Sequence, residues 1–257
     1  DQSIHFNGVL VSFKNFKFHP SVATNIVDSG YTNPTPIQSK AIPPILAGQD
    51  VLGLAQTGTG KTAAFVLPIV QRLITGEGQK EKALIIAPTR ELAEQIHETI
   101  IGFTRGTALS SVAVYGGVGK QPQISAIRNG ADIIIACPGR LLDILNEKGI
   151  TLRNVKTLVL DEADHMFDKG FFPDIRRIIK QLPKNRQSLV FSATMPKEIR
   201  KLIGEILVNP CTVQIDHELP AATISHSRIN VEKVQKSALL KILLKRQDIT
   251  RTVVFTR

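Results

Sequence analysis

Short apolar runs recur along the chain, separated by longer stretches in which apolar positions return every three or four residues. The runs are Val51–Ala55, Ala83–Ala87, Ser111–Tyr115, Asp132–Ala136, Thr157–Leu160, Ser188–Phe191 and Cys211–Ile215. Leu84-Ile85-Ile86 and Ile133-Ile134-Ile135 show no polar alternation, which suits strands covered on both faces in a mostly parallel sheet. Between the runs, Leu92, Ile96, Ile100 and Phe103 make one helical stripe, and Ile199, Leu202, Ile203, Ile206 and Leu207 make another. Repeated strand–helix units predict an α/β domain, a mostly parallel sheet with helices on both faces. Ligands in that architecture collect at the carboxyl ends of the strands. After Ile215 the pattern lapses. Residues 216–234 read as an extended linker, Lys236–Lys245 as a helix, and Val253-Val254-Phe255 as the start of another strand. A lone helix and strand cannot bury their own faces, so 235–257 is expected to open a second, truncated domain. The remaining organisation is an N-terminal segment over 1–40 and the α/β domain over 41–215.

Composition narrows the classes without choosing one. The chain has 257 residues, 42% hydrophobic and 21% charged, enough apolar content for a sizeable core. No apolar run approaches the roughly 18 residues that span a bilayer, so no membrane is expected. The first residues lack the basic start and apolar stretch of a secretory leader. Two cysteines, Cys137 and Cys211, make neither a disulfide framework nor a zinc pattern. They are expected as reduced, partly buried thiols in a cytoplasmic protein. The net charge of +10 suits a polyanionic partner. Much of the excess lies between Arg176 and Lys201, which reads as a solvated helical face and a loop rather than a binding site.

Two segments carry chemistry. Ala55-Gln56-Thr57-Gly58-Thr59-Gly60-Lys61-Thr62 follows a strand and opens a helix, the context a phosphate-binding P-loop requires. Its glycines let successive N–H groups turn toward phosphates, and the helix N-terminus adds its positive dipole end. Lys61 is placed for the β- and γ-phosphates of ATP, and the Thr62 hydroxyl for Mg²⁺. Ala55 stands where the pattern normally has its first glycine. The second segment is Asp161-Glu162-Ala163-Asp164, directly after Leu158-Val159-Leu160. Asp161 is placed to hold Mg²⁺, and Glu162 to position and deprotonate an attacking water.

With Ser192-Ala193-Thr194 third in order, the chain resembles the DEAD-box helicases of superfamily 2, and loosely their bacterial RhlE-like branch. Gly30-Tyr31-Thr32-Asn33-Pro34-Thr35-Pro36-Ile37-Gln38 is similar to that family's Q motif, with an upstream aromatic at Phe13. Pro88-Thr89-Arg90 opens a segment similar to motif Ia, while Gly116-Gly117 and Pro138-Gly139-Arg140 resemble two further RNA-side motifs. Val254-Phe255-Thr256-Arg257 resembles the opening of the second domain's first motif. The resemblance implies a RecA-like P-loop NTPase fold and an RNA-stimulated ATPase that separates short duplexes locally. Gln38 and Tyr31 would pin adenine, the Gln38 amide offering the donor–acceptor pair that matches adenine N7 and N6. Phe13 is either a neighbour of that base or a core residue. Ser192, Ala193 and Thr194 would couple Asp164 to strand separation. Pro88, Thr89, Arg90, Pro138, Gly139 and Arg140, following strands on the sheet edge, would with Gly116 and Gly117 grip RNA backbone, with little sequence preference.

The resemblance also implies an arginine supplied in cis by a second RecA-like domain, and no His-Arg-x-Gly-Arg-like segment occurs in the chain. Cys137 stands where the family often has threonine, which removes one hydroxyl contact to RNA. His165 reads as a partly exposed helix position rather than a proton relay. Pro68 is expected to bend the helix after the P-loop. Two other readings stay open. A nucleotide-gated RNA clamp would not need Glu162, and a DNA translocase would not need the Q motif.

Overall fold

The computed structural model describes residues 5–6, 9–10, 12–76, 81–147, 150–215, 227–245 and 251–255. It divides into two units, Asp1–His217 and Glu218–Arg257. In the first, a small hairpin of β1 (His5–Phe6) and β2 (Val9–Leu10) precedes a 3-10 turn at Phe13–Phe16, α1 (Pro20–Asp28) and α2 (Pro36–Leu46). The strands that follow are β3 (Val51–Leu54), β4 (Lys82–Ile86), β5 (Ser111–Val114), β6 (Ile133–Ala136), β7 (Val155–Leu160), β8 (Gln187–Ser192) and β9 (Cys211–Gln214). Between them run α3 (Lys61–Thr75), α4 (Arg90–Thr104), α5 (Lys120–Arg128), α6 (Pro138–Asn146), α7 (Ala163–Asp168), α8 (Phe172–Ile179) and α9 (Lys197–Ile206).

The seven strands form one sheet in the order β5-β6-β4-β7-β8-β3-β9, with every pairing parallel. Each predicted run lies on its strand within two residues at either end. The core falls into two clusters, one on each face, and the strands feed them alternately. Ala83 and Ile85, Ile133 and Ile135, Val159, and Leu189 and Phe191 pack with α1 to α4. Leu84 and Ile86, Ile134, Leu158 and Leu160, and Val190 pack with α5 to α9. Both faces of these four interior strands are therefore apolar, which is why their runs lack alternation. The predicted stripes are inward: Ile96, Ile100 and Phe103 on α4 and Ile199, Leu202, Ile203 and Ile206 on α9 are buried.

Gly53 is set by packing. A Cβ there would lie 2.4 Å from the Phe191 ring, which stacks on Phe65 with centroids 5.3 Å apart. α3 runs from Lys61 to Thr75 through the buried Pro68. The sheet order corrects one expectation. The segments after β4 and β6 leave interior strands, since the edges are β5 and β9.

In the second unit, residues 227–232 carry no regular structure, a 3-10 turn occupies Lys233–Gln235, and α10 spans Lys236–Leu244 with no buried residue. The expected strand at Val253–Phe255 is not formed, and Phe255 is 93% exposed. A strand without a partner leaves its N–H and C=O groups to water. Residues 216–226 of the expected linker, Thr256 and Arg257 lie outside the described residues.

Candidate active site

The sheet order gathers the predicted segments into two groups. Neighbouring β7, β8 and β3 lead respectively into Asp161-Glu162, Ser192-Ala193-Thr194 and the glycine-rich turn. Neighbouring β5, β6 and β4 lead into Gly116-Gly117, Pro138-Gly139-Arg140 and Pro88-Thr89-Arg90.

The turn after β3 owes its shape to Gly58 and Gly60, at φ 84° and 92°, a region closed to most side chains. Gly60 caps α3. The Lys61 ammonium donates to the Ala55 carbonyl at 3.0 Å, and the Thr59 hydroxyl to the Gln56 carbonyl at 2.8 Å, closing the turn on itself. Ala55 N–H donates to the Ser192 carbonyl at 3.1 Å, which ties the turn to β8. Thr62 follows on the first turn of α3.

Gln38 lies beneath this turn. Its Oε1 accepts the Thr35 N–H at 2.9 Å and its Nε2 donates to the Gly60 carbonyl at 3.1 Å. A Cβ on Gly60 would come 2.4 Å from that Nε2, a second reason for glycine at the position. An amide carries two donors and two acceptor sites, so one of each remains. Gln38 is 1% exposed, however, so neither faces solvent. Phe13 is a buried core residue, edge-on to Tyr31 at 6.3 Å, and Tyr31 packs on Phe103 at 5.3 Å. The cavity of about 360 Å³ beside these rings is lined by neither Gln38 nor a residue of the turn. The structure thus joins Gln38, and not the two aromatics, to the turn.

Asp161, at the end of β7, is 2% exposed. Burial pushes its carboxyl up to about 6, with Lys61 opposing the shift. A buried carboxylate that a single lysine balances incompletely fits the donor set for a divalent cation. Glu162 sits at φ 55°, ψ 54°, left-handed backbone that residues other than glycine rarely adopt. Its Oε1 accepts the Thr57 hydroxyl at 3.3 Å, and its Oε2 lies 2.9 Å from His165 Nδ1. Asp164 Oδ2 accepts from Ala193 N–H, Thr194 N–H and the Thr194 hydroxyl at 3.2, 2.9 and 3.1 Å. The Asp164 N–H donates to Ser192 Oγ at 3.2 Å. Burial raises the Asp164 carboxyl, and the bonds from Thr194 and Ser192 outweigh it, so its pKa lies below the ordinary value.

On the other half of the sheet, Thr89 caps α4 by accepting the Leu92 N–H at 3.2 Å. Arg90 pairs with Glu94 at 3.0 Å and lies over the Tyr115 ring, 4.8 Å from its centroid. Its guanidinium also adjoins Gly117, which has φ 84°. Arg90, Tyr115 and Gly117 are therefore one surface, whereas Pro88 and Pro138, expected to grip RNA, are buried. Arg140 is turned inward: it donates to the Val118 carbonyl at 3.0 Å and to Gln123 Oε1 at 3.5 Å, and it props the loop after Gly117. Pro138 begins α6, Gly139 follows it, and Cys137 caps the helix without a side-chain bond. Burial pushes the Cys137 thiol up to about 11, which leaves it a packing residue rather than a reactive one. Arg176, in the basic stretch, forms a two-pronged exposed pair with Glu205 at 2.9 and 3.1 Å.

Sequence reasoning did not single out Tyr115, Glu94, Gln123 or the partnership of His165 with Glu162. Glu94 stands at i+4 from Arg90, a spacing that puts the two on one helix face. Tyr115 and Gln123 carry no such local signal.

The family model described as DEAD/DEAH box helicase matches residues 35–202. ATP-dependent RNA helicase DBP3 of Lodderomyces elongisporus is 45% identical over 215 residues, 83% of this chain and 40% of that protein. DEAD-box ATP-dependent RNA helicase CshA of Streptococcus pneumoniae is 40% identical over 248 residues, 96% of this chain and 47% of that protein. The chain thus spans less than half the length of either relative. The crystal structure of a DEAD box protein from Methanococcus jannaschii superposes with a TM-score of 0.75 at 34% identity, covering 92% of this chain and 64% of that one. A hypothetical ATP-dependent RNA helicase from Sulfolobus tokodaii gives 0.70 at 38% identity, over 76% of this chain and 56% of that one. The fold is therefore RecA-like, and since the family match runs from Thr35 through the whole of the β7–β8–β3 cluster, the chain belongs to the DEAD/DEAH box helicases.

Proposed function

We propose that this chain is the ATP-binding part of an ATP-dependent RNA helicase, an RNA-stimulated ATPase that opens short duplexes in the cytoplasm. The observation that carries the reading is the convergence on Glu162. A carboxylate at the end of β7 meets the P-loop through Thr57, while Asp164, two residues on, is bonded to Ser192 and Thr194.

Lys61 leaves the Ala55 carbonyl for the β- and γ-phosphates, and the N–H groups of Gly58, Thr59, Gly60 and Thr62 cradle them. Thr62 and Asp161 would hold Mg²⁺, which when bound neutralises phosphate charge. Glu162 takes the proton of the attacking water. Gln38 reads adenine by exchanging its Gly60 contact when the P-loop opens around nucleotide, with Tyr31 as the base's apolar neighbour. Asp164 reports the state of this site to Ser192-Ala193-Thr194. The Arg90–Gly117 surface takes RNA phosphates and 2′-hydroxyls, and Arg140 acts there by shaping the loop. A second RecA-like domain in cis supplies the catalytic arginine.

Competition binding tests the nucleotide half: ADP and AMP outcompete GDP, and Gln38→Ala narrows the difference. Equal affinity for guanine nucleotides in the unaltered chain overturns the adenine assignment. Steady-state ATPase of the full-length protein with RNA or DNA tests the other half. Stimulation by DNA as strong as by RNA would make it a DNA translocase, and no hydrolysis with either would make it a clamp.

A further inference from the structure

Both oxygens of the Glu162 carboxylate are engaged. Oε1 takes the Thr57 hydroxyl, and Oε2 faces His165 Nδ1 at 2.9 Å. A carboxylate only accepts hydrogen bonds, so the imidazole nitrogen facing it carries the hydrogen and donates. Glu162 is the N-cap residue of α7 and His165 lies three residues on, within its first turn. The exposures differ sharply: the Glu162 side chain is 13% exposed and the His165 ring 59%. The ring therefore covers the carboxylate from the solvent side and gains little burial of its own, which a core-packing histidine would have.

His165 is itself anchored. Its backbone N–H donates to Asp164 Oδ1 at 3.2 Å, and the other oxygen of Asp164 takes the amides of Ala193 and Thr194 and the Thr194 hydroxyl. The main chain that carries the ring is thus held at Asp164, while the ring itself bonds Glu162. A glutamate on its own is a flexible arm, and the left-handed backbone at Glu162 fixes where that arm starts but not where it ends. The imidazole fixes the end.

We infer that His165 is a positioning residue for Glu162: its Nδ1–H holds the carboxylate in one orientation at the P-loop. The inference rests on the reading of Glu162 as the group that activates water. It assigns His165 no contact with nucleotide and no share in the transferred proton. Misplacing a reacting group by about 1 Å can cost on the order of 10²-fold, and loss of one of two tethers is expected to cost less, about tenfold.

The experiment is ATP turnover by the full-length protein carrying His165→Ala, His165→Asn or Glu162→Gln, with thermal melting and ADP affinity measured on each. His165→Ala should lower kcat about tenfold while KM for ATP, ADP affinity and melting temperature stay near those of the unaltered protein. His165→Asn places an amide N–H where Nδ1–H was and should restore most of kcat. Adding His165→Ala to Glu162→Gln should cost nothing further, because the positioned group is already gone. Unchanged kcat in His165→Ala overturns the inference, as does an Asn variant no faster than the Ala variant. Full turnover by Glu162→Gln would instead remove the base itself, and the role of His165 with it.

Discussion

Asp161 and Glu162 are adjacent carboxylates that the fold treats in opposite ways. Asp161 is buried with its carboxyl raised to about 6, and Glu162 is tethered to the glycine-rich turn through Thr57. Glu162→Gln keeps shape and loses the ability to accept a proton. In the full-length protein it should retain ATP and Mg²⁺ binding and lower turnover by about 10²–10⁴-fold; a loss below about tenfold would refute its role. Asp161 gives a stability prediction. A carboxyl raised on folding favours the folded state when protonated, and that advantage is lost as pH rises from its unfolded value through about 6. At pH 8 without nucleotide or metal, burying the charge costs on the order of 3 kcal/mol. Asp161→Asn should therefore raise the melting temperature at pH 8, and the gain should shrink steadily below pH 6. A gain that persists at pH 4 would mean the effect is not electrostatic.

Among the elements, β3 and β8 show how one missing side chain can set a register. Gly53 lies opposite Phe191 in the parallel ladder, and the ring fills the space a Cβ would need. Gly53→Ala should cost about 1–3 kcal/mol by overpacking and weaken nucleotide binding, because the proposed phosphate-binding turn hangs on the end of β3. Denaturant unfolding followed with ADP titration checks both effects. If stability is unchanged, Phe191 has room to move that the packing does not suggest. The same pair illustrates the limit of the pattern. Val51–Leu54 reads as a strand from its apolar residues, whereas the need for glycine at 53 comes from a ring 138 residues away in the chain.

For the whole molecule, the proposed ATPase draws on a second domain. The transition state of phosphoryl transfer needs positive charge on the γ-phosphate, an arginine contribution worth about 10³–10⁵ in rate. No segment of the chain matches the family's arginine motif. The 257-residue chain should bind ADP, hydrolyse ATP barely and separate no duplex. Its RNA affinity should be weak and fall as salt rises, because phosphate contacts dominate. ATP-dependent strand release by this chain in a duplex-unwinding assay would show that the catalytic arginine lies within it.

The sequence alone determined the parallel α/β sheet, the two inward helical stripes, and a glycine-rich turn and an acidic segment placed after strands. Each is written locally: an unbroken β-branched run, a 3.6-residue period, glycines between a strand and a helix. Tertiary structure decided what those residues touch. The order of the strands made neighbours of β7, β8 and β3, and so brought Thr57 to Glu162 and Thr194 to Asp164 across more than 25 residues of chain. It also put Arg140 under the Val118 carbonyl instead of into solvent, laid Arg90 on Tyr115, and closed Gln38 beneath Gly60. The strand expected at Val253–Phe255 has the right residues and no partner strand among the described residues. Periodicity records which face of an element avoids water. Which polar groups end up paired depends on elements distant in sequence, and only the assembled sheet sets those distances.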